Sequence, residues 1–227
     1  MDKTDGQPLT DAHVYIANAT LGAATDAAGY FRIEHVPLGN YRLLASRIGY
    51  QKQEKRLLID EPLDREINFR LELQIIEIEA VVVTAVRPRK WKKHLKRFEE
   101  AFLGTSRNAK ACEILNPEVL DFEKVEGGVF VAVASQPLIL ENHALGYRIE
   151  YDLKDFREEA GVVEFKGVAR FEPLPRESER ERWQANRRRA YQGSLRHFLS
   201  ALAADHAEAD GFFFYGVFDL GEETRPI

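Results

Sequence analysis

The sequence has 227 residues, of which 44% are hydrophobic, and its net charge is only −5. A chain of this length and composition holds one large or two small folded domains. The near balance of acidic and basic residues excludes a uniformly basic nucleic-acid binder. The single cysteine, Cys112, excludes an intrachain disulfide, and no apolar run is long enough to predict a transmembrane helix.

The first 75 residues predict an all-β sandwich, because short alternating segments are separated by turn residues. The expected strands lie at residues 12–17, 30–33, 41–45, 55–59 and 67–71. Their alternation is expected to place the following side chains in one core: Tyr30 or Phe31, Ile33, Tyr41 and Leu43.

Residues 76–90 predict a linker strand, since a β-branched run at 81–84 is followed by the strand breaker Pro88. The next segment, 91–103, is predicted to be a helix. Its large apolar residues recur at intervals of four, three and four positions: Trp91, Leu95, Phe98 and Phe102.

Residues 91–227 predict an α+β domain. Alternating segments indicate strands at 129–133, 147–151 and 162–171. A long polar helix is expected from Ser178 to Ala207. The apolar stretch 212–218 is expected to be a buried strand, or a strand whose partner lies beyond residue 227. The predicted fold class is therefore mixed, and its three segments are an all-β sandwich (1–75), a linker strand (76–90) and an α+β domain (91–227).

Catalytic and metal motifs are missing from the sequence. None of the six histidines lies in a His-x-x-Glu or His-Glu-x-x-His neighbourhood, so we expect no metal site and no zinc peptidase. There is no Gly-x-Ser-x-Gly and no glycine-rich phosphate loop, so we expect neither a cofactor nor a catalytic residue. Cys112 is better interpreted as a buried structural thiol than as a nucleophile.

The strongest cluster of candidate binding residues lies in the long predicted helix: Arg187, Tyr191, Ser194 and His197. On a helical wheel, Arg187 falls near the apolar arc, and the other three lie on it or at its edge. The cluster could form a small polar binding site, or an uncharacterised hydrolase could use Tyr191, Ser194 and His197. The alternative, which we favour, is helix packing with satisfied hydroxyl groups.

The basic run at residues 87–97 also allows two interpretations. It could bind an anionic surface such as lipid headgroups, lipopolysaccharide or nucleic acid. We favour the other interpretation, in which it is the solvated face of a helix whose Trp91, Leu95 and Phe98 pack inward.

Several short motifs of the first third have defined backbone roles: Gly6-Gln7-Pro8-Leu9, Thr25-Asp26, Gly29-Tyr30-Phe31, Val36-Pro37-Leu38-Gly39 and Gly49-Tyr50. Asp26 can cap a turn, and Gly29 can supply a positive φ before the next strand. With these motifs the segment resembles the carboxypeptidase regulatory-like family. The resemblance implies a small transthyretin-like sandwich that supports other domains and has no active site of its own.

Members of that family begin with a strand that precedes the Gly-x-Pro-Leu turn, whereas this sequence starts almost at the turn. We therefore expect the sequence to begin downstream of that strand and of a signal peptide, which is not present in this chain. If the strand is truly missing, the strand around Val14 or one of its neighbours becomes an exposed edge that favours edge-strand self-association.

The second part resembles the region that follows this module in secreted proteins of Bacteroidota-type bacteria. The resemblance rests on segments such as Phe102-Leu103-Gly104-Thr105-Ser106, Leu145-Gly146-Tyr147 and Arg189-Ala190-Tyr191-Gln192-Gly193-Ser194. It implies a location in the periplasm or at the outer membrane.

These observations predict a non-catalytic, envelope-associated binding or structural protein with an unknown protein or glycan ligand. An alternative is a fragment of a TonB-dependent outer-membrane receptor, in which a similar Val-Val-Val-Thr segment follows the same module. The residues after 90 do not resemble the plug of those receptors, so we place this alternative second.

Overall fold

A computed structural model describes residues 1–62, 64–74, 89–124 and 128–215. It divides into two compact units, Met1–Pro175 and Arg176–Ile227. The first unit contains two antiparallel sheets that follow one another along the chain, and the helices of the second unit come after them. This is the mixed architecture that the sequence predicts.

The first sheet has the order β2-β1-β3-β4, with all neighbours antiparallel. Its strands are β1 (His13–Ile16), β2 (Gly22–Ala24), β3 (Gly39–Ser46) and β4 (Gln53–Ile59). Because side chains alternate along a strand, Val14 and Leu43 face one side while Tyr15 and Leu44 face the other.

The sandwich core lies on the Val14 side of this sheet. The layer that packs against this side of the sheet consists of extended segments that are not regular strands. Its core side chains are Leu9, Phe31, Ile33, Ile67, Phe69 and Leu71. The predicted core is confirmed with Phe31 rather than Tyr30, which is 76% exposed. The predicted strands at 30–33 and 67–71 are wrong as regular strands, since among the described residues this layer is paired through single bridges such as Asp2 with Leu71.

The start of the chain is held by this layer. The amino group of Met1 donates to the Phe69 carbonyl at 3.0 Å, and Lys3 N–H donates to the Leu71 carbonyl at 2.9 Å. The strand around Val14 is not an edge, because β1 pairs with β2 on one side and with β3 on the other. Self-association through another edge strand stays a prediction.

The second sheet carries helix α1 (Arg89–Leu103) on one face. Its strands are β5 (Cys112–Ile114), β6 (Leu120–Lys124), β7 (Phe130–Ala134), β8 (Leu138–Asn142), β9 (Tyr147–Glu159) and β10 (Val162–Pro173). Strand β9 pairs with β8 and β7 along one edge and with β10 along the other. The predicted helix is confirmed, and Phe98 is fully buried against Phe156 with ring centroids 4.8 Å apart.

The linker strand predicted at 76–90 falls mostly on residues 75–88, which lie outside the described residues. The two positions of that segment that the structure describes, Arg89 and Lys90, begin α1 instead. No helix in the described part of the chain combines the length and the apolar character needed to cross a bilayer.

The second unit corrects two predictions. The single helix expected from Ser178 to Ala207 is broken into α2 (Arg180–Tyr191) and α3 (Leu195–Ala203). Gly193 has a φ of +75°, which stops the first helix, and the Ser194 side chain caps the second. Residues 212–215 form no strand, and Phe213, Phe214 and Tyr215 are exposed; 216–218 lie outside the described residues.

Candidate ligand-binding cleft

The two sheets of the first unit meet on the face of the sandwich that its own core leaves free. On that face, Tyr15 and Leu44 are buried together with Val168 of β10. Strand β1 is therefore covered on both faces, which explains why Val14, Tyr15 and Ile16 are all buried. The outer face of the sandwich sheet is therefore packed against strand β10.

Backbone hydrogen bonds fix this contact. Asn18 N–H donates to the Ala169 carbonyl at 3.0 Å, and Ala169 N–H donates to the Asn18 side-chain oxygen at 2.9 Å. Asn18 has a φ of +58°, a left-handed conformation that asparagine tolerates better than most residues. This reciprocal pair satisfies part of the outer edge of β10, which would otherwise stay open.

A network of charges lies beside the contact. Arg170 donates to Glu150 at 2.7 Å and also pairs with Glu172, while Lys52 of the sandwich lies 3.3 Å from Glu150. Burial raises the pKa of Glu150, but the hydrogen bonds and charges of Arg170 and Lys52 outweigh burial and hold that pKa below its usual value. Glu150 is therefore ionised at neutral pH and links the sandwich to the second sheet.

Next to this contact lies a cleft with a volume of about 1110 Å³. The sandwich lines it with residues that include Asn18, Arg42 and Leu44, and the second sheet and the end of α1 complete it. Its apolar floor consists of Phe102, Leu140, Ile149, Tyr151, Phe165 and Phe171. A concave apolar surface with a few polar groups at its rim is the usual form of a small-molecule site.

Three aromatic rings organise the floor. Phe102 lies edge-on to Tyr151 and to Phe165, with ring centroids 5.1 and 5.0 Å apart, and the Tyr151 and Phe165 rings are 6.4 Å apart. Such edge-to-face contacts are the favoured geometry for aromatic rings. Phe165 is still 44% exposed, so the floor has apolar surface that no protein group covers.

Gly167 makes this arrangement possible. The register between β9 and β10 shifts between Lys166 and Gly167, because Lys154 is an extra, unpaired residue of β9 and forms a bulge there. A Cβ atom at Gly167 would lie 2.6 Å from the Asp152 carbonyl oxygen and would collide with the Tyr151 ring. The ring can therefore lie directly over the strand only because position 167 has no side chain.

The ionisable groups of the cleft lack an activated nucleophile. Burial raises the pKa of the Cys112 thiol to about 11, so the thiol stays protonated at neutral pH. Burial and the charge of Asp152 raise the pKa of Tyr151. Among the described residues, no three His, Cys, Asp or Glu side chains lie close enough together to hold a metal ion.

Three of the four binding residues predicted from sequence come together in the second unit. The rings of Tyr191 and His197 lie 4.8 Å apart, and the Ser194 hydroxyl accepts from the His197 backbone N–H at 3.1 Å. Tyr191 and His197 line a small cavity of about 500 Å³, but Ser194 and Arg187 do not line it.

The His197 ring is held by other partners. Its Nδ1 accepts from the Gly193 N–H at 3.1 Å, and its Nε2 lies 3.6 Å from Asp210. A serine hydrolase needs the serine hydroxyl on the histidine ring, whereas Ser194 caps helix α3. The geometry thus gives Ser194 and His197 a local packing role, and the idea that they bind a ligand stays a prediction.

Residues 89–97 of the basic run lie in α1, and 87–88 lie outside the described residues; Arg97 pairs with Glu158 at 2.9 Å. Lys90, Lys92 and Lys93 are exposed, while the Trp91 indole N–H donates to the Leu120 carbonyl at 2.9 Å. This geometry agrees with a solvated face above an inward-packed apolar side.

Sequence comparison independently identifies the sandwich. A protein-family model described as a CarboxypepD_reg-like domain matches residues 1–83. The N-terminal third is thus a carboxypeptidase regulatory-like domain, as the short motifs predict, and this type of domain is non-catalytic. A search of curated proteins finds no match to the chain.

Proposed function

We propose that this chain, whose residues 1–83 form a carboxypeptidase regulatory-like domain, is a non-catalytic binding protein of the cell envelope. The observation that carries the proposal is the aromatic cleft to which the sandwich and the helix-bearing sheet both contribute residues. In this role the sandwich is an accessory module that supplies one wall of the binding site.

Binding is favoured over catalysis by the chemistry of the side chains. The Cys112 thiol has a raised pKa, and the Ser194 hydroxyl is used as a helix cap. The His197 ring near Ser194 accepts from the Gly193 N–H and not from the serine hydroxyl, so it does not act as the base that activates a nucleophile. What the cleft offers instead is apolar area, which binds a ligand by removing its surface from water.

The envelope location is supported by the resemblance of the second part of the sequence to the region that follows this module in secreted bacterial proteins. The test is fractionation of bacteria that make the natural protein, with an antibody against this chain. The protein is expected in the periplasmic or outer-membrane fraction, and recovery in the cytosol alone would contradict the proposed location.

The binding role is tested with N-phenyl-1-naphthylamine, an uncharged probe that fluoresces in apolar sites. We expect saturable binding to the full chain and weaker binding to the variant Phe165→Ser, which removes an exposed ring from the floor. The matched control is Val162→Ser, because Val162 is an exposed apolar residue of the same strand that does not line the cleft.

The control variant is expected to bind the probe as the wild type does. If Phe165→Ser and the wild type bound the probe equally well, the probe would bind outside the cleft, and the proposed site would be wrong. A wild-type chain that does not bind the probe would contradict the proposed binding role.

A further inference from the structure

The rim of the cleft has more basic than acidic side chains. Its charged lining residues are Arg42, Lys52, Lys154, Lys166, Glu54 and Asp152. Because the whole chain carries a net charge of −5, this local excess of positive charge runs against the overall charge of the protein. An excess of one sign of charge at a cleft favours ligands of the opposite sign.

The two acidic side chains of the rim are already paired, since Glu54 lies 3.1 Å from Arg42 and Asp152 is shared by two lysines. Asp152 serves both Lys154, at 3.0 Å, and Lys52, at 3.6 Å. Lys166 forms no ion pair with any residue in the described part of the chain, and its side chain is exposed. Lys166 is therefore the cation of the rim that is most available to a ligand.

Two of the neutral amide side chains that line the cleft are already engaged. The Asn142 side-chain oxygen accepts from the backbone N–H groups of Ala144 and Leu145, and its amide nitrogen donates to the Asn108 carbonyl. The Asn18 side-chain oxygen accepts from Ala169. With these oxygens used internally, the two amides have less capacity to accept hydrogen bonds from the hydroxyl groups of a neutral sugar.

We propose that the cleft binds a lipid-like anion, with an acyl chain on the aromatic floor and a carboxylate or phosphate group near Lys166. This inference rests on the proposed function, since it names the ligand chemistry of the same cleft. The floor supplies apolar contact through Phe102, Tyr151 and Phe165, and the lysine supplies selection for negative charge.

The experiment measures displacement of N-phenyl-1-naphthylamine from the full chain by ligands that share one chain length. The competitors are decanoate, decyl phosphate, 1-decanol and decyltrimethylammonium, all below their micellar concentrations, together with the neutral sugar maltoheptaose. Both anions are expected to displace the probe at concentrations about fivefold lower than 1-decanol, the factor expected for one partly exposed ion pair. Decanoate against decyl phosphate separates a fatty-acid ligand from a phospholipid-type headgroup.

The Lys166→Gln variant is expected to lose most of this fivefold advantage while still binding 1-decanol and the uncharged probe. The matched control is Lys93→Gln, because Lys93 is an exposed lysine of α1 that does not line the cleft. Both substitutions are at exposed positions, and equal melting temperatures of the two variants verify that the fold is unchanged.

Probe binding without preference for the anions would overturn this inference and leave the proposed function standing. Displacement by maltoheptaose in preference to decanoate would overturn it in favour of a neutral glycan. Failure of the probe to bind would overturn both proposals together.

Discussion

The close approach of two strands at Gly167 makes a strong prediction for the Gly167→Ala variant. The added methyl group would lie 2.6 Å from the Asp152 carbonyl oxygen, below the 3.0 Å that real Cβ atoms keep from their neighbours. Asp152 pairs with Val168 of β10 and directly follows Tyr151, which pairs with Leu138 of β8, so its carbonyl group cannot easily move. The variant must therefore shift β10 or push the Tyr151 ring aside.

Introducing a methyl group into a packed site of this kind costs typically about 1–3 kcal/mol. We expect a loss of about 2 kcal/mol in the free energy of unfolding, which corresponds to a fall of about 4–8 °C in melting temperature for a chain of this size. Urea denaturation followed by circular dichroism measures the first quantity, and a thermal melt measures the second.

The Tyr151→Ala background supplies the control. With the ring removed, one of the two obstacles to the methyl group is gone and the Asp152 carbonyl remains. Gly167→Ala should therefore lower the free energy of unfolding by less in the Tyr151→Ala background than in the wild type, but should still lower it. A wild-type loss below about 0.5 kcal/mol, the range of ordinary surface substitutions, would refute the reasoning.

Three further predictions concern other parts of the molecule. Because the pKa of Glu150 is depressed in the folded state, its ionised carboxylate stabilises the fold above the usual pKa of 4.5, and this stability is lost as the pH falls through the folded-state pKa. Glu150→Gln should therefore flatten the dependence of the urea midpoint on acid pH. An unchanged dependence would argue against the pairing of Glu150 with Arg170. Ser194→Ala should weaken α3 by about 1 kcal/mol in amide hydrogen exchange, whereas Ser200→Ala, within the same helix, should not. Phe98→Ala should cost about 3–5 kcal/mol in urea denaturation because Phe98 is fully buried, and a cost below about 1 kcal/mol would contradict its central position.

The spacing of apolar residues along the sequence correctly predicted helix α1 and strand β10. The spacing of Trp91, Leu95 and Phe98 fixed helix α1 to within two residues at its start. The alternation at 162–171 located β10 in the same way. Strands β2, β5, β6 and β8 were missed, since strands of three or five residues give too little periodicity and their assignment depends on pairing with other strands.

The break between α2 and α3 had a visible signal. Gly193 followed by Ser194 is a helix stop next to a helix cap, and the apolar arc that continues through it favoured one long helix instead. The candidate residues Tyr191, Ser194 and His197 were brought together by this turn, but with the serine in a capping role.

The cleft itself could not be derived from sequence patterns. Its walls come from positions as far apart as Asn18 and Phe171, and the contact between them depends on how two separately predictable sheets pack. One signal was available: Gly167 interrupts an otherwise apolar alternating strand, and a glycine at such a place often marks a close approach of another group. Nothing in the sequence pattern distinguished the neighbouring Lys166 from an ordinary solvent-exposed lysine of a strand.

The pair formed by Asn18 and Ala169 also governs the order of events in folding, because it joins positions 151 residues apart. The β3–β4 and β9–β10 hairpins are local and can form early, whereas closing so long a loop is entropically costly and slow. The cleft therefore forms after the strands that line it. A ligand that recognises the finished cleft should slow unfolding and leave the refolding rate nearly unchanged.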